Sequence, residues 1–182
     1  MHTRQPDFTE QLQQSANNLH RSLVDSDNNL VLAESCTAGL IAASLGRIPG
    51  VSSRLAGSFV VYQIASKIAW LGIDADLIRQ HGVVSEAVAR DMATGALHQT
   101  PHASIALAIT GHLGPNAPPD QDGTAWIALT RRTGHPRTAL LQLQPSGHTP
   151  FPELRWLRQQ QAATIAMQMI TNWIAKEQPS PR

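Results

Sequence analysis

The sequence predicts a layered α/β domain with a mixed sheet. Helices and strands alternate through the first half, and two strands joined by a short turn follow. A long amphipathic helix then closes the chain. In chain order, Leu12, Ala16, Leu19 and Leu23 recur at helical spacing and predict a first amphipathic helix. Leu30, Val31 and Leu32 read as a strand over 30–33, and Leu40, Ile41, Ala42, Ala43 and Leu45 as a helix over 38–46. Gly46-Arg47-Ile48-Pro49-Gly50 is a turn. Gly57 to Tyr62, rich in β-formers, predicts a strand, and Ala65 to Leu71 a short helix. Asp74 caps a brief helix ending near His81-Gly82, and Ser85 caps a longer one that runs to about Gln99 and is stopped by Pro101. Ala103 to Ile109 has the length and polarity of a buried strand, with a loop from Thr110 to Gly123 behind it. Thr124 to Thr130 and Arg137 to Leu143 predict a hairpin around Thr133-Gly134. The last helix begins near Pro152 and carries Leu154, Leu157, Ile165, Met169 and Trp173 towards the core.

Composition narrows the function classes. The 182 residues suffice for a single core, read here as one domain over 9–177 between loose tails at 1–8 and 178–182. A hydrophobic fraction of 42% and a charged fraction of 15% are ordinary for a globular chain. A net charge of +1, scattered basic residues and few aromatics give no footprint for nucleic acid. The single cysteine rules out an internal disulfide. The polar first ten residues lack an apolar signal core and no run is long enough to span a bilayer, so a cytoplasmic location is expected.

Three polar clusters fall at predicted strand ends, where open α/β sheets place their ligands. Glu34-Ser35-Cys36-Thr37 follows the first strand and opens a helix, where unpaired N–H groups suit an anion or a developing oxyanion. Ser35 or Thr37 can instead simply cap that helix. Tyr62 closes the second predicted strand, with Lys67 in the helix beyond it. Thr110-Gly111-His112-Leu113-Gly114-Pro115 leaves the third. A serine needs a base, and a desolvated lysine of lowered pKa can serve, with a tyrosine relaying the proton. Ser35, Lys67 and Tyr62 thus suit a serine–lysine–tyrosine hydrolase centre, with backbone donors from the third cluster. The plainer alternative makes Lys67 a solvated helix lysine and Tyr62 an ordinary strand aromatic. Cys36, near a helix start, is a second candidate nucleophile or else a buried thiol. His112 sits within reach of a ligand in the third cluster, or is a solvated loop histidine. His98 and His102 have helical metal-pair spacing, but Pro101 breaks that face and no further donors accompany them, so no metal is expected.

Ala33-Glu34-Ser35-Cys36-Thr37, Pro49-Gly50, Tyr62 with Lys67, Leu71-Gly72, His81-Gly82-Val83-Val84-Ser85-Glu86, Thr110-Gly111, Gly114-Pro115 and Gly123-Thr124 together resemble the CinA C-terminal domain family. The likeness covers about residues 10–175. It implies a nicotinamide-nucleotide amidase that converts nicotinamide mononucleotide to nicotinate mononucleotide and ammonia without a cofactor. Ser35 would be the nucleophile, Lys67 the general base and Tyr62 an aid to proton transfer. Substrate contacts carry over to Glu34, Cys36, Thr37, Gly39, Thr110, Gly111, His112 and Gly114. A homodimer is expected on the same ground.

The chain departs from the family pattern inside the motifs. The family's Thr-Gly-Gly is Thr37-Ala38-Gly39, and its asparagine two residues after the tyrosine is Ile64. Its glycine-rich loop with Glu-Lys-Pro is shortened to Asn116-Ala117-Pro118-Pro119-Asp120-Gln121-Asp122. The Gly-Asp-Arg before the last helix has no clear counterpart, and Arg155 or Arg158 is the candidate cation for a nucleotide phosphate. These changes motivate an alternative: a substrate-shifted or catalytically degenerate paralogue that binds a nucleotide-like ligand or a protein.

Overall fold

The structure is a computed structural model and describes residues 8–118, 120–143 and 153–177. Its centre is a five-stranded mixed sheet of order β2-β1-β3-β4-β5. The strands are β1 Leu30–Glu34, β2 Leu55–Val60, β3 Ile105–His112, β4 Thr124–Arg131 and β5 Arg137–Gln142. β1 pairs in parallel with β2 and β3, and β3, β4 and β5 form an antiparallel meander. The helices are α1 Phe8–Asp25, α2 Leu40–Gly46, α3 Ile64–Leu71, α4 Ala75–His81, α5 Glu86–Gln99 and α6 Glu153–Glu177. The layered α/β architecture read from the sequence is the one observed.

Strand order decides the layers. The chain leaves β1 for β2 on one side and then returns past β1 to β3 on the other. Right-handed crossovers in opposite directions must lie on opposite faces of the sheet. Accordingly α1, α2 and α6 cover one face and α3, α4 and α5 the other. The strands alternate to match: Leu30, Leu32, Ile105, Leu107, Ile109, Ile127 and Leu129 point to the first face, and Val31, Ala33, Ala106, Ala108 and Ala128 to the second. The alanines of the second face leave room for α5, which presents Ala89, Ala93 and Ala96. The reversal of direction at β1 and β3 is a topological switch point, where the strand ends diverge into a crevice.

Element boundaries moved in informative places. Phe8, placed in the N-terminal tail, begins α1. The rest of both predicted tails, and the predicted helix start at Pro152, lie outside the described residues. β2 ends at Val60, so Tyr62 lies beyond the strand. The predicted loop at Thr110 begins later, because Thr110, Gly111 and His112 continue β3 and pair with Trp126, Ala125 and Thr124. In α6 the fully buried stripe is Ala162, Ala163, Ala166, Met167 and Ile170 with Trp173 and Ile174, while Ile165 and Met169 only pack at its edge.

One close approach is exacting. A Cβ on Gly95 of α5 would stand 2.2 Å from the Leu71 carbonyl oxygen and 3.0 Å from Leu71 Cβ. Backbone cannot yield as a side-chain tip can, so overpacking outweighs the helix propensity gained by alanine. Gly95→Ala is expected to cost about 1–3 kcal/mol. Thermal unfolding of the variant checks this, and an unchanged midpoint would show that α3 and α5 separate freely.

Candidate active site

Period-two alternation sorts the first cluster. Leu30 and Leu32 face α2, and Val31 and Ala33 face α3 to α5, so Glu34 falls on the α2 side and Ser35 on the other. Glu34 is completely buried. Its Oε2 accepts from Thr37 Oγ1 at 2.8 Å and from the Ile41 N–H at 3.1 Å. Its Oε1 accepts from the Ala42 N–H at 2.9 Å and from Ser58 Oγ at 3.4 Å. The carboxylate therefore closes the start of α2 from within the protein, where the helix dipole favours negative charge. This corrects two expectations. The α2 donors offered to a ligand are occupied, and neither Ser35 nor Thr37 caps the helix; Gly39, at φ 90°, stands at the N-cap without a side-chain bond. Glu34 and Thr37 hold the loop and are turned away from solvent. Ala38 sits in the left-handed region at φ 53°, where the family pattern has glycine.

On the other side, α3 begins at Ile64 and Lys67 lies one turn in, pointing at the sheet. Lys67 is 0% exposed and its Nζ donates to Ser35 Oγ at 2.9 Å and to the Val61 carbonyl at 2.6 Å. Burial penalises the ammonium and brings the Lys67 pKa down to about 8. The solvated-lysine alternative is thereby removed. A largely buried hydroxyl beside an amine that gives up its proton near neutral pH is an activated nucleophile. Cys36 is the opposite case. Its side chain belongs to the core, and burial pushes its thiol up to about 12 despite its own N–H, Arg155 and Lys67. It is a packing residue and not a nucleophile.

Tyr62 stands apart from this pair. It is 52% exposed, and its hydroxyl accepts a hydrogen bond from Arg155. Arg155 also donates to the Gly114 carbonyl, so its guanidinium spans the rim from the loop behind β3 to the segment behind β2. Both partners are neutral, and no carboxylate pairs with Arg155 among the described residues. Arg158 differs: its side chain is 3% exposed and makes a bidentate pair with Asp122 at 2.9 and 2.8 Å. Those bonds hold the Asp122 carboxyl below its usual range. Of the two candidate cations, Arg155 is the one left uncompensated, while Arg158 fixes the loop.

The third cluster is tied into the sheet. Thr110 is buried and donates from Oγ1 to the Val83 carbonyl at 3.2 Å. Gly111 lies so close to β4 that a Cβ would meet Ala125 Cβ at 2.7 Å. The His112 carbonyl accepts from the Gly123 N–H at 2.8 Å, which closes the loop. These residues shape the site through the β3–β4 ladder. Asp122, Gln159 and the Val61 carbonyl were not singled out from the sequence. Gln159 donates to the Cys36 carbonyl at 2.9 Å across 123 residues of chain. Gln159 is the first of three successive glutamines after Arg158, and no local pattern sets it apart from Gln160 or Gln161. Among the described residues no cluster of His, Cys, Asp and Glu can hold a metal ion, and no helix is long and apolar enough to cross a membrane.

A three-layered α/β domain with a buried serine–lysine pair at its switch point is thus defined by fold and site together. The chain belongs to the CinA C-terminal domain family, whose sequence pattern matches residues 12–174. It is 43% identical over 118 residues to a putative competence-damage inducible protein of Lacticaseibacillus casei, covering 64% of this chain and 28% of that protein. A CinA-like protein of Mycobacterium marinum is 37% identical over 145 residues, or 80% of this chain and 32% of the relative. The chain therefore spans about a third of the length of these relatives. Among solved structures, a CinA superfamily protein from Klebsiella pneumoniae superposes with a TM-score of 0.81 at 28% identity, covering 91% of this chain and 98% of the other. The competence/damage inducible protein CihA of Agrobacterium tumefaciens gives 0.80 at 27%, with 89% and 94% covered.

Proposed function

We propose that this chain is an amidohydrolase that converts nicotinamide mononucleotide to nicotinate mononucleotide and ammonia. The observation that carries the reading is the buried Lys67 Nζ at 2.9 Å from Ser35 Oγ, with its pKa lowered to about 8. Neutral Lys67 takes the Ser35 proton as Oγ attacks the carboxamide carbon. Collapse of the tetrahedral intermediate expels ammonia, which leaves with the proton returned by Lys67. Water, deprotonated by the same amine, then releases the acid and frees Ser35. Arg155, uncompensated at the rim beside Tyr62, supplies the charge for an anionic phosphate. Tyr62 acts there as a rim group, since its hydroxyl bonds Arg155 and neither Ser35 nor Lys67.

A second reading, an amidase for a different amide, is favoured by Ile64, which is 48% exposed beside Tyr62 where the family pattern has asparagine. The deciding experiment incubates the purified protein with nicotinamide mononucleotide and follows nicotinate mononucleotide by chromatography, with Ser35→Ala alongside. Product from the wild type and at least a thousandfold less from the variant is the expected result. No product from folded wild type, with turnover of another amide in a panel, would establish the second reading instead.

A further inference from the structure

We infer that Gln159 is a positioning residue that orients a backbone oxyanion donor next to the nucleophile, an inference that rests on the amidohydrolase reading. The turn after β1 carries a run of largely buried peptide groups beside Ser35. Each of its carbonyls has a partner: Ser35 O accepts from the Ala38 N–H at 3.0 Å, Thr37 O from the Leu40 N–H at 3.0 Å, and Cys36 O from Gln159 Nε2 at 2.9 Å. The N–H groups differ. Ser35 N donates to Ile109 O at 3.0 Å, whereas those of Cys36 and Thr37 have no acceptor in any other described residue. The Cys36 N–H faces its own sulfur, and the Thr37 N–H is left as the donor of this turn, with Ala38 and Gly39 in the left-handed region behind it.

In a trans peptide the carbonyl and the next N–H point in opposite directions in one plane. Fixing the Cys36 carbonyl therefore fixes the direction of the Thr37 N–H. The first and third planes of the turn are fixed from within the turn itself, and the Cys36–Thr37 plane is fixed from α6, by Gln159 alone among the described residues. Without that bond the plane is free to rotate, and the donor is no longer held where charge develops. Preorganised donors stabilise the transition state and not the bound ground state, so the cost falls on kcat.

The test compares Gln159→Leu, Gln159→Glu and Gln159→Lys in the full chain by two readouts. One is kcat and KM for nicotinamide mononucleotide. The other is the affinity of pyridine-3-boronic acid, in which a bond forms between Ser35 Oγ and trigonal boron while the serine proton passes to Lys67, leaving a tetrahedral boronate whose oxygen stands in for the oxyanion. Leu and Glu cannot donate to the carbonyl and are expected to lower kcat about tenfold to a hundredfold with KM within twofold. They should weaken the boronate to a similar degree while leaving the affinity for nicotinate mononucleotide unchanged. Lys, which can donate, should recover much of the loss. Wild-type turnover with Leu and Glu within twofold in kcat, or losses shared equally by KM and product affinity, would overturn the role. If the wild type captures the boronate but hydrolyses no nicotinamide mononucleotide, the substrate assignment fails while the boronate series still decides the role of Gln159. A wild type that does neither removes the reaction and Gln159's part in it.

Discussion

Lys67→Met is expected to abolish turnover and, at neutral pH, to make the protein more stable. The two effects share one cause. A lysine that is 0% exposed must lose its hydration on folding, and its pKa falls from 10.5 to about 8. At 1.36 kcal/mol per pKa unit, keeping the ammonium buried at pH 7 costs on the order of 3 kcal/mol. Methionine fills similar space without that cost, though it leaves the Val61 carbonyl without its 2.6 Å donor, a loss of about 1–2 kcal/mol. The net gain is about 1–2 kcal/mol, or a few degrees in Tm for a chain of this size. The sign with pH follows from the lowered pKa. The unfolded lysine holds its proton up to about pH 10.5 and the folded one only to about 8, so wild-type stability rises across that interval. The advantage of methionine is full below pH 8 and fades towards pH 10.5. Urea unfolding of both proteins at pH 7 and pH 10 measures it, and a stability difference independent of pH would show that Lys67 is not held by burial as described. In the wild type, kcat/KM should rise with pH and level off above about 8, where the amine is neutral.

How this balance was legible from the sequence depends on which contacts are local. The strand–turn–helix at 30–46 announces a site by position, and Lys67, 32 residues from Ser35, meets it because the two follow the same ends of the adjacent parallel strands β1 and β2. Alternation was equally available for Glu34: with Leu30 and Leu32 facing α2, a carboxylate two residues on must face it too. The cluster was instead read as a set of ligand contacts, so a residue with a structural task was placed among those that touch substrate. The length of β3 was underestimated because Thr110 and Gly111 look like loop residues. Pairing with β4 holds them extended all the same, as tertiary context overrides local preference. No local pattern distinguishes Arg155 from Arg158. Their roles are set by Asp122 in the loop joining β3 to β4 and by Tyr62 beyond β2, contacts separated by 36 and 93 residues. Site geometry of this kind is fixed by topology, and topology is what residue spacing conveys least.

Glu34→Gln separates the two meanings that can be given to the residue before the nucleophile. The carboxylate takes four donors and none of its oxygens is left over: Thr37 Oγ1, the N–H groups of Ile41 and Ala42, and Ser58 Oγ. Glutamine has the same shape but replaces one acceptor with an NH2 that must face donors. Either way round, at least one buried N–H or hydroxyl of this set loses its partner, and the charge at the helix start is lost as well. Bonds to a charged group are worth roughly 1.5–3 kcal/mol each, so a loss of about 2–4 kcal/mol is expected, with Tm lowered by about 5–15 °C. The damage is centred on α2 and the Thr37 side of the nucleophile loop, so kcat should fall as the Ser35 turn loosens, while KM moves little. Thermal unfolding beside steady-state kinetics tests this directly. A variant as stable as the wild type with a raised KM would make Glu34 a substrate contact after all. It would also require the carboxylate to leave the helix start when ligand binds, which its complete burial and fourfold satisfaction oppose.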